Sequence, residues 1–457
     1  MGKGEEGSPM TASPTTSNAG TPAPGKRGRI GLVVFSSIAF GFVLGLVLTL
    51  VVFAGGEESE ITGSALLALG AGFVLLALAS SRFTDQPQRW ALAPGIAAAL
   101  VGLAILLLAP GNHALGLAGW VWPLLLLLLV GWSFWGARRS LHNWSRRALL
   151  YPALFVLLLV AVGGAYETVA EASSSNPAPA GRTYLVNGHR LYLNCVGDGT
   201  PTVVLFNGLG ERTPSWAWVQ RSLSSETRVC AFDRAGEGWS GAAPGRQDGH
   251  ELSSDAHGLL QAARISGPYV VAGHSTGGTY ALVYAAQYPQ EVAGVALIDS
   301  ATPYQFDLPD YPTFYKLWRR ASALLPSLSR AGFGRLVLDT GFATLPPDAR
   351  DQLRAFASEP RELRTNNDEF AELPTVFDQA KALTSLGQKP LGVLTADVGQ
   401  QAGWVAAQAK LAKLSTNSVH RTAHGSTHSA LQEDQNFASI TSRTIADVVR
   451  AVRSDRQ

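Results

Sequence analysis

Long runs without charged side chains fill the first third of the chain and predict membrane-spanning helices. The runs cover residues 30–56, 61–81, 90–137 and 148–166. A helix needs about 20 apolar residues to cross the roughly 30 Å hydrocarbon core of a bilayer. The third run is long enough for two crossings, and the helix breakers Pro110, Gly111 and Asn112 divide it. The pattern therefore predicts an all-α transmembrane domain of five helices over residues 30–166.

Positive charges gather on one side of these spans. That side carries Lys3, Lys26, Arg27, Arg29, Arg82, Arg89, Arg138, Arg139, Arg146 and Arg147, whereas the short loops around Glu57 and Asn112 carry none. Positive residues near the ends of spans are retained in the cytoplasm. With five spans the N-terminal tail of residues 1–29 is predicted to be cytoplasmic and everything after Tyr166 to lie outside. Four or six spans would reverse this orientation.

The spans contain no Asp, Glu, Lys or Arg, which favours a membrane anchor over a transporter, because transport and proton relays need ionisable groups at membrane depth. A bundle that handles a lipid or ligand is the alternative. The first run could also be a cleaved signal peptide. It stands behind a long tail rich in Ser, Thr, Pro and Gly, and no small-residue cleavage pattern precedes Glu57, so an uncleaved span is preferred.

After a Pro- and Ser-rich linker of residues 167–182, the pattern changes to an α/β domain over residues 183–457. Short β-rich runs alternate with helical patterns, at residues 190–196, 202–206, 228–232, 269–272, 292–298 and 391–394. This alternation predicts a mostly parallel sheet with helices on both faces. The net charge is only +2, so no basic face for a nucleic acid is predicted. No Cys/His cluster has the spacing of a zinc site, so neither a metal nor another cofactor is predicted.

The sharpest motif joins one of these strands to a helix. Tyr269-Val-Val-Ala-Gly-His-Ser-Thr-Gly-Gly is an apolar strand that runs into Gly273-His274-Ser275-Thr276-Gly277, and a helical stretch follows. A turn this tight holds its serine in strained backbone angles and needs glycines where a side chain would collide. The helix that follows also points backbone N–H groups at the serine. The motif therefore predicts a nucleophilic Ser275.

Residues 183–457 resemble the α/β-hydrolase superfamily, and three more motifs support this likeness in the family's order. Val203-Val-Leu-Phe-Asn-Gly-Leu-Gly resembles the strand and oxyanion loop, with Asn207 where histidine is commoner. Phe232-Asp-Arg-Ala-Gly-Glu-Gly-Trp-Ser resembles the next strand and turn, in which Asp233 and Arg234 are interpreted as structural. Thr427-His428-Ser-Ala-Leu resembles the catalytic histidine loop. The transmembrane domain is outside the resemblance.

The resemblance implies a catalytic triad in the chain order serine, acid, histidine. A serine needs a base to take its proton and a carboxylate to orient that base. His428 is the preferred base, His424 its rival, and His420 is less favoured because it falls in a predicted last strand. Asp397 follows the strand at residues 391–394, the usual family position, but without the customary Gly-x-x-Asp pattern.

Asp299, at the end of the strand at residues 292–298, is the other candidate acid, in a position that some members of the superfamily use. Its alternative interpretation is a helix or loop cap. The choice between Asp299 and Asp397 stays open. The resemblance also assigns the two oxyanion donors to the backbone N–H groups of Leu209 and Thr276.

A helical, aromatic-rich insertion over about residues 303–386 resembles the family's cap, which would cover Ser275. Most of its rings are expected to form the cap's own core, and a few are left for an apolar acyl or alkyl group. Cys195 and Cys230 lie on strands that are neighbours in the family's strand order, which implies a disulfide worth roughly 3 to 4 kcal/mol in the chain-entropy model. Two buried free thiols are the alternative.

The leading hypothesis is a membrane-anchored serine hydrolase that acts outside the cytoplasm on a small, apolar, ester-like or lipid-like substrate. A serine nucleophile disfavours the dehalogenase and epoxide hydrolase branches, which resemble this fold but attack with aspartate. A non-catalytic binding or sensing module is the second hypothesis, motivated by Asn207 and the unusual acid loop. Acyl transfer to an envelope component is the third. The Ala, Gly and Arg bias suggests a bacterial source.

Overall fold

The computed structural model describes residues 29–142, 147–173, 178, 181–242, 245–338 and 342–455. Apart from Arg29, the predicted N-terminal tail lies outside the described residues, and so do Arg146 and part of the predicted linker. The described chain forms an N-terminal bundle of apolar helices, followed by an α/β domain.

The N-terminal helices are α1 (Ile30–Val47, extended by a π-helical turn, Leu48–Val52), α2 (Glu58–Phe83), α3 (Leu92–Leu108), α4 (Asn112–Ala118), α5 (Trp122–Ser140) and α6 (Tyr151–Ser173). Within the described residues, four helices are long and apolar enough to cross a membrane, and the count is five if α4 and α5, bent by 46°, form one span. The predicted break in the long run is confirmed, because α3 ends at Leu108 and Ala109 takes a left-handed conformation, with φ at 43°.

The predicted linker is wrong in its first part, because α6 continues as far as Ser173. Glu167, the first residue assigned to the linker, is buried and pairs with Arg335 at 2.7 Å. Arg335 lies 168 residues further along the chain. A contact so distant in sequence leaves no local signal, so the composition predicted the end of the helix several residues too early.

Close approach of α2 and α3 depends on glycine. A Cβ atom at Gly102 would lie 2.5 Å from the Leu67 nitrogen and 2.7 Å from the Gly63 carbonyl oxygen, and one at Gly70 would lie 2.5 Å from the Ala99 nitrogen. Membrane helices associate mainly through van der Waals packing, so small residues that bring two backbones together mark their interfaces. These glycines therefore set the spacing of the two helices.

Replacing Gly102 by leucine is expected to destabilise the bundle, because its side chain would have to displace backbone atoms of α2. Overpacking of this kind costs roughly 1 to 3 kcal/mol. We expect a lower melting temperature and a lower yield of monodisperse protein in detergent. Gly131 on α5 provides a matched control, since a Cβ there meets nothing within 4 Å. Equal melting temperatures for G102L and G131L would contradict this account of the packing.

The sheet of the C-terminal domain has eight strands: β1 (Arg182–Val186), β2 (His189–Val196), β3 (Val203–Phe206), β4 (Val229–Asp233), β5 (Tyr269–His274), β6 (Val292–Ile298), β7 (Leu391–Ala396) and β8 (Ser418–Ala423). Their order is β1-β2-β4-β3-β5-β6-β7-β8. The pairs β1/β2 and β2/β4 are antiparallel and the others are parallel. The prediction of a mostly parallel sheet is confirmed.

Helices cover both faces of this sheet. One face carries α8 (Gly249–Ala262) and α9 (Thr276–Gln287), and the other carries α7 (Ala217–Leu223) and α16 (Gln435–Ser454). The buried strands β3, β4 and β5 separate the two apolar layers, which explains their nearly continuous hydrophobic sequences. Cys195 and Cys230 are register partners on β2 and β4, and the predicted disulfide between them is confirmed.

Between β6 and β7 the described residues form four α-helices at the predicted place of the cap, α10 (Tyr311–Arg330), α11 (Phe333–Leu338), α12 (Pro347–Ala357) and α13 (Pro360–Ala380), and α14 (Trp404–Leu411) follows β7. The cap rests on the N-terminal helices. Arg330 of α10 forms an ion pair with the buried Glu58 at the start of α2 and donates to Asn112 at 2.6 Å. Asn367 of α13 donates to the Gly56 carbonyl at 3.3 Å. The C-terminal domain therefore lies at the end of the bundle that carries the loops around Glu57 and Asn112.

Candidate active site

Ser275 occupies a sharp turn between β5 and α9. Its φ of 55° and ψ of −128° are strained for a residue with a side chain. A Cβ at Gly273 would lie 2.2 Å from the Gly277 carbonyl carbon, and one at Gly277 would lie 2.1 Å from the Phe206 carbonyl oxygen. The expected need for glycine at both positions is therefore confirmed, and the turn presents Ser275 at the carboxyl end of the central strand.

The loop of residues 207–211, called the 207–211 loop below, lies against this serine. A Cβ at Gly208 would be 2.9 Å from the Ser275 Cβ. Arg234 holds the loop by donating to the carbonyl oxygens of Asn207 and Gly208 at 2.5 and 2.8 Å. Within the described residues, the N–H groups of Leu209 and Thr276 donate to no other atom of the chain. Two free donors thus stand near the serine, as an oxyanion site requires.

Asn207, which replaces the commoner histidine, has a structural role. Its side-chain amide donates to the Phe232 carbonyl at 2.8 Å, and its side-chain oxygen accepts from Trp216 Nε1 at 2.9 Å. These bonds tie the start of the 207–211 loop to β4 and to the segment before α7. The side-chain amide of Asn207 therefore stabilises the loop, and its described hydrogen bonds go to Phe232 and Trp216 and not to Ser275.

His428 Nδ1 lies 2.6 Å from Asp299 Oδ2. Asp299 is fully buried, and its carboxylate also accepts from Trp404 Nε1 at 2.7 Å, the Ala396 N–H at 3.1 Å and Gln400 Nε2 at 3.1 Å. Burial alone would raise the Asp299 pKa, but the His428 contact and these hydrogen bonds outweigh it, so the pKa lies below its ordinary value. An ionised carboxylate is thus fixed against one nitrogen of His428.

The other candidate acid has a different partner. Asp397 accepts from His424 Nδ1 at 2.9 Å and from the Gly425 N–H at 2.8 Å. The His424 side chain is 84% exposed, so this pair lies at the surface. His420, on β8, contacts Thr395 at 2.8 Å. Of the three candidate histidines, the structure brings only His428 to Asp299.

The Ser275 hydroxyl forms no hydrogen bond with His428 in the described part of the chain. The His428 ring nevertheless lies close to the turn that carries Ser275, because its centroid is 4.4 Å from that of His274, the residue before the serine. In enzymes without a bound substrate such catalytic hydrogen bonds are often long, and they tighten when substrate binds. The arrangement is therefore compatible with a serine and histidine that act together.

Residues 201–435, just over half of the chain, match the family model of the alpha/beta hydrolase fold. The chain belongs to the alpha/beta hydrolase family. The neighbouring solved structures include the Cif epoxide hydrolase from Acinetobacter nosocomialis, at a TM-score of 0.52 and 16% identity, covering 64% of this chain and 96% of that one. A structure of a DBJA mutant has a TM-score of 0.51 at 18% identity, covering 60% and 100%. At these identities the likeness shows the fold alone.

The relatives by sequence described next match about a third of this chain. A stretch of 137 residues is 36% identical to the dihydrolipoyllysine-residue acetyltransferase component of the acetoin cleaving system of Pseudomonas putida, covering 30% of this chain and 37% of that protein. Another, of 154 residues, is 26% identical to the uncharacterized protein YbdG of Bacillus subtilis, covering 33% and 46%. The chain spans less than half the length of both relatives.

The hydrolase's cap contributes an aromatic cluster beside the 207–211 loop. Phe306, Tyr311, Tyr315, Phe370 and Phe377 pack on one another, and Leu209 packs against this cluster. Most of these rings are buried, as expected for the cap's own core. Tyr304, Phe314, Trp318 and Phe333 remain at least 38% exposed.

Sequence reasoning missed Glu211, whose carboxylate lies beside the serine. It accepts from the Gly208 N–H at 2.6 Å and forms an ion pair with His274 Nδ1. Its partner His274 is 63 residues away, so the sequence around Glu211 offered no local signal of the pair. Gln400 and Trp404, which donate to Asp299, were missed for the same reason.

Proposed function

We propose that this protein is a membrane-anchored serine hydrolase that acts outside the cytoplasm on an apolar, ester-like substrate. The observation that carries the proposal is the contact of His428 with the buried Asp299. Ser275 stands nearby on a strained turn between β5 and α9. In this proposal Ser275 is the nucleophile, His428 the base and Asp299 the acid. Leu209 and Thr276 provide the oxyanion donors.

The proposed mechanism follows from the partner of each atom. Asp299 accepts a hydrogen bond from the Nδ1–H group of His428, which leaves Nε2 free to take the proton of the Ser275 hydroxyl as its oxygen attacks the acyl carbon. The carbonyl oxygen becomes an oxyanion that the Leu209 and Thr276 N–H groups bind. The C–O bond to the leaving alcohol then breaks, and His428 returns the proton to that alcohol. His428 then takes a proton from water as the water oxygen attacks the acyl carbon, the bond between that carbon and the Ser275 oxygen breaks, and His428 returns the proton to the Ser275 oxygen, which releases the acid.

The features that motivated a non-catalytic module have structural explanations. Asp397, whose loop lacks the customary Gly-x-x-Asp pattern, contacts His424. His428 still has a carboxylate partner, because it contacts Asp299. Asn207 ties its loop to β4 and to Trp216. Both observations favour an enzyme over a binding module. Acyl transfer would use the same acyl-enzyme, and product analysis with an added alcohol separates it from hydrolysis.

Two observations support the proposed orientation. The hydrolase domain contacts the ends of the proposed membrane helices near Glu58 and Asn112. The basic residues lie at the opposite end of the bundle: Arg82 in the last turn of α2, Arg138 and Arg139 in the last turn of α5, and Arg89 just before α3. Positive residues near the ends of spans are retained in the cytoplasm.

Single cysteines introduced at opposite ends of the bundle test this orientation. Gly111 and Asp85 are both exposed, and a Cβ at Gly111 meets nothing within 4 Å. In intact cells we expect a membrane-impermeant maleimide to label G111C and to spare D85C until the cells are opened. The native cysteines are joined to each other, so the unmodified chain is the blank. Labelling of D85C alone would reverse the orientation.

A further inference from the structure

His274 has a hydrogen-bond acceptor at each ring nitrogen. Its Nδ1 contacts the Glu211 carboxylate, and its Nε2 lies 3.0 Å from the backbone carbonyl oxygen of His428. A neutral imidazole carries one N–H donor, whereas both acceptors need one. The ring is also only 1% exposed, so water cannot replace either partner. The geometry therefore calls for a His274 protonated on both nitrogens, which carries a positive charge.

Glu211 connects this charge to the oxyanion side of the site. Its carboxylate also accepts from the Gly208 N–H at 2.6 Å and from Gln432 Nε2 at 3.1 Å. A Cβ at Gly208 would lie 2.7 Å from Glu211 Oε1 and 2.9 Å from the Ser275 Cβ, so the carboxylate and the nucleophile flank the same glycine. The Glu211–His274 ion pair thus connects the 207–211 loop, the turn that carries Ser275, and the loop that carries His428.

Several charged groups surround the pair. Asp299 faces His274 from the end of β6, His428 from the segment after β8, and Glu433 from the short helix α15 (Ala430–Glu433). Glu369 of the cap faces Glu211. Burial lowers the His274 pKa, but Glu211 and then Asp299 raise it more, so it lies above its ordinary value. Burial raises the Glu211 pKa, but His274 lowers it further, so it lies below its ordinary value. Both shifts agree with an ion pair.

We propose that the Glu211–His274 ion pair is a positioning device that aligns the oxyanion loop and the His428 loop on Ser275, and that it works only while His274 is protonated. This inference rests on the proposed serine mechanism. His274 and Glu211 act through Gly208 and His428, so they are positioning residues. Loss of the proton from either nitrogen breaks one of the two links.

The sign of the pH dependence follows from this linkage. A group whose pKa is raised in the folded protein keeps its interaction below that pKa and loses it as the pH rises through it. With Glu211 present, the His274 pKa lies above its ordinary value, so the ring keeps its second proton to a higher pH than an ordinary histidine. In E211Q the countercharge is gone, so the His274 pKa falls toward or below the ordinary histidine value of about 6.5. The site of E211Q should therefore lose alignment on the alkaline side.

The test measures the rate at which a fluorophosphonate labels Ser275 in the full-length protein in detergent, between pH 6 and pH 9. We expect the ratio of the wild-type rate to the E211Q rate to grow by about tenfold or more from pH 6 to pH 8, since one pH unit beyond the pKa changes the protonated fraction tenfold. E291Q is the matched control, because Glu291 pairs with His257 outside the site. Its ratio should stay near one.

A ratio for E211Q that does not change with pH would overturn the inference, since a merely structural role lowers the rate equally at all pH values. If E211Q fails to fold, H274Q carries the test. It contains no titrating ring at this position, so the ratio of the wild-type rate to the H274Q rate should be large at pH 6 and should fall as the pH rises through the raised pKa of wild-type His274. A ratio near one at pH 6 would contradict the inference. Absence of labelling in the wild type would instead contradict the proposed function.

Discussion

Asp299→Asn is expected to reduce ester hydrolysis by roughly 10⁴-fold, the loss typical when the acid of a serine triad becomes an amide. The amide oxygen can keep the place of Oδ1, which accepts from Trp404 and Ala396, while its NH₂ group takes the place of Oδ2. That group would face His428 Nδ1 as a donor and force the proton onto Nε2. His428 could then no longer accept the serine proton, although the site would remain folded.

Asp397→Asn is the matched control for this prediction. Asp397 also follows a strand of the sheet, but its partners are His424 and the Gly425 N–H. We expect D397N to retain activity within about twofold, because exposed pairs contribute little. Initial rates on a chromogenic ester, measured with melting temperatures of both variants, decide the matter. A large loss in D397N with full activity in D299N would assign the acid to Asp397.

Ser275→Ala is expected to remove hydrolysis almost completely, by roughly 10⁴ to 10⁶-fold, because no other group then forms the acyl-enzyme. The hydroxyl makes no hydrogen bond with another described residue that its removal would leave unsatisfied. The variant should therefore fold and melt like the wild type. Rates on esters of increasing acyl chain length measure the loss and also test the preference for apolar substrates.

Ser429→Ala controls for a general effect of removing a hydroxyl near the site. Ser429 follows His428 directly, is exposed, and is outside the proposed catalytic machinery. We expect S429A to keep its activity within about twofold, as surface substitutions usually do. Unchanged hydrolysis in S275A would exclude Ser275 as the nucleophile.

The features that the sequence predicted are those set by local patterns. The apolar N-terminal helices follow from uninterrupted apolar runs, and the break in the longest run follows from Pro110 and its neighbours. The sharp turn around Ser275 was recognisable because one short segment contains the strand, the two glycines and the start of the helix. The disulfide needed more, namely the strand order that the family resemblance supplied.

The features that escaped prediction depend on contacts distant in sequence. Asp299 and Asp397 both follow parallel strands, and which of them meets His428 depends on how the 424–429 segment folds back over the sheet. The pairing of Glu211 with His274 joins the 207–211 loop to the end of β5, 63 residues further along the chain. Glu167, in the part of α6 that was predicted as linker, pairs with Arg335 of the cap. Periodicity and composition contain no information about any of these pairs.

Intact-mass spectrometry after exposure of the full-length protein to a fluorophosphonate, with peptide mapping of the product, tests the central claim most directly. The proposed mechanism predicts a single adduct on Ser275, at a rate that D299N lowers strongly and D397N leaves unchanged. A folded protein without an adduct, or with an adduct at another residue only, would contradict the assignment of Ser275 as an activated nucleophile.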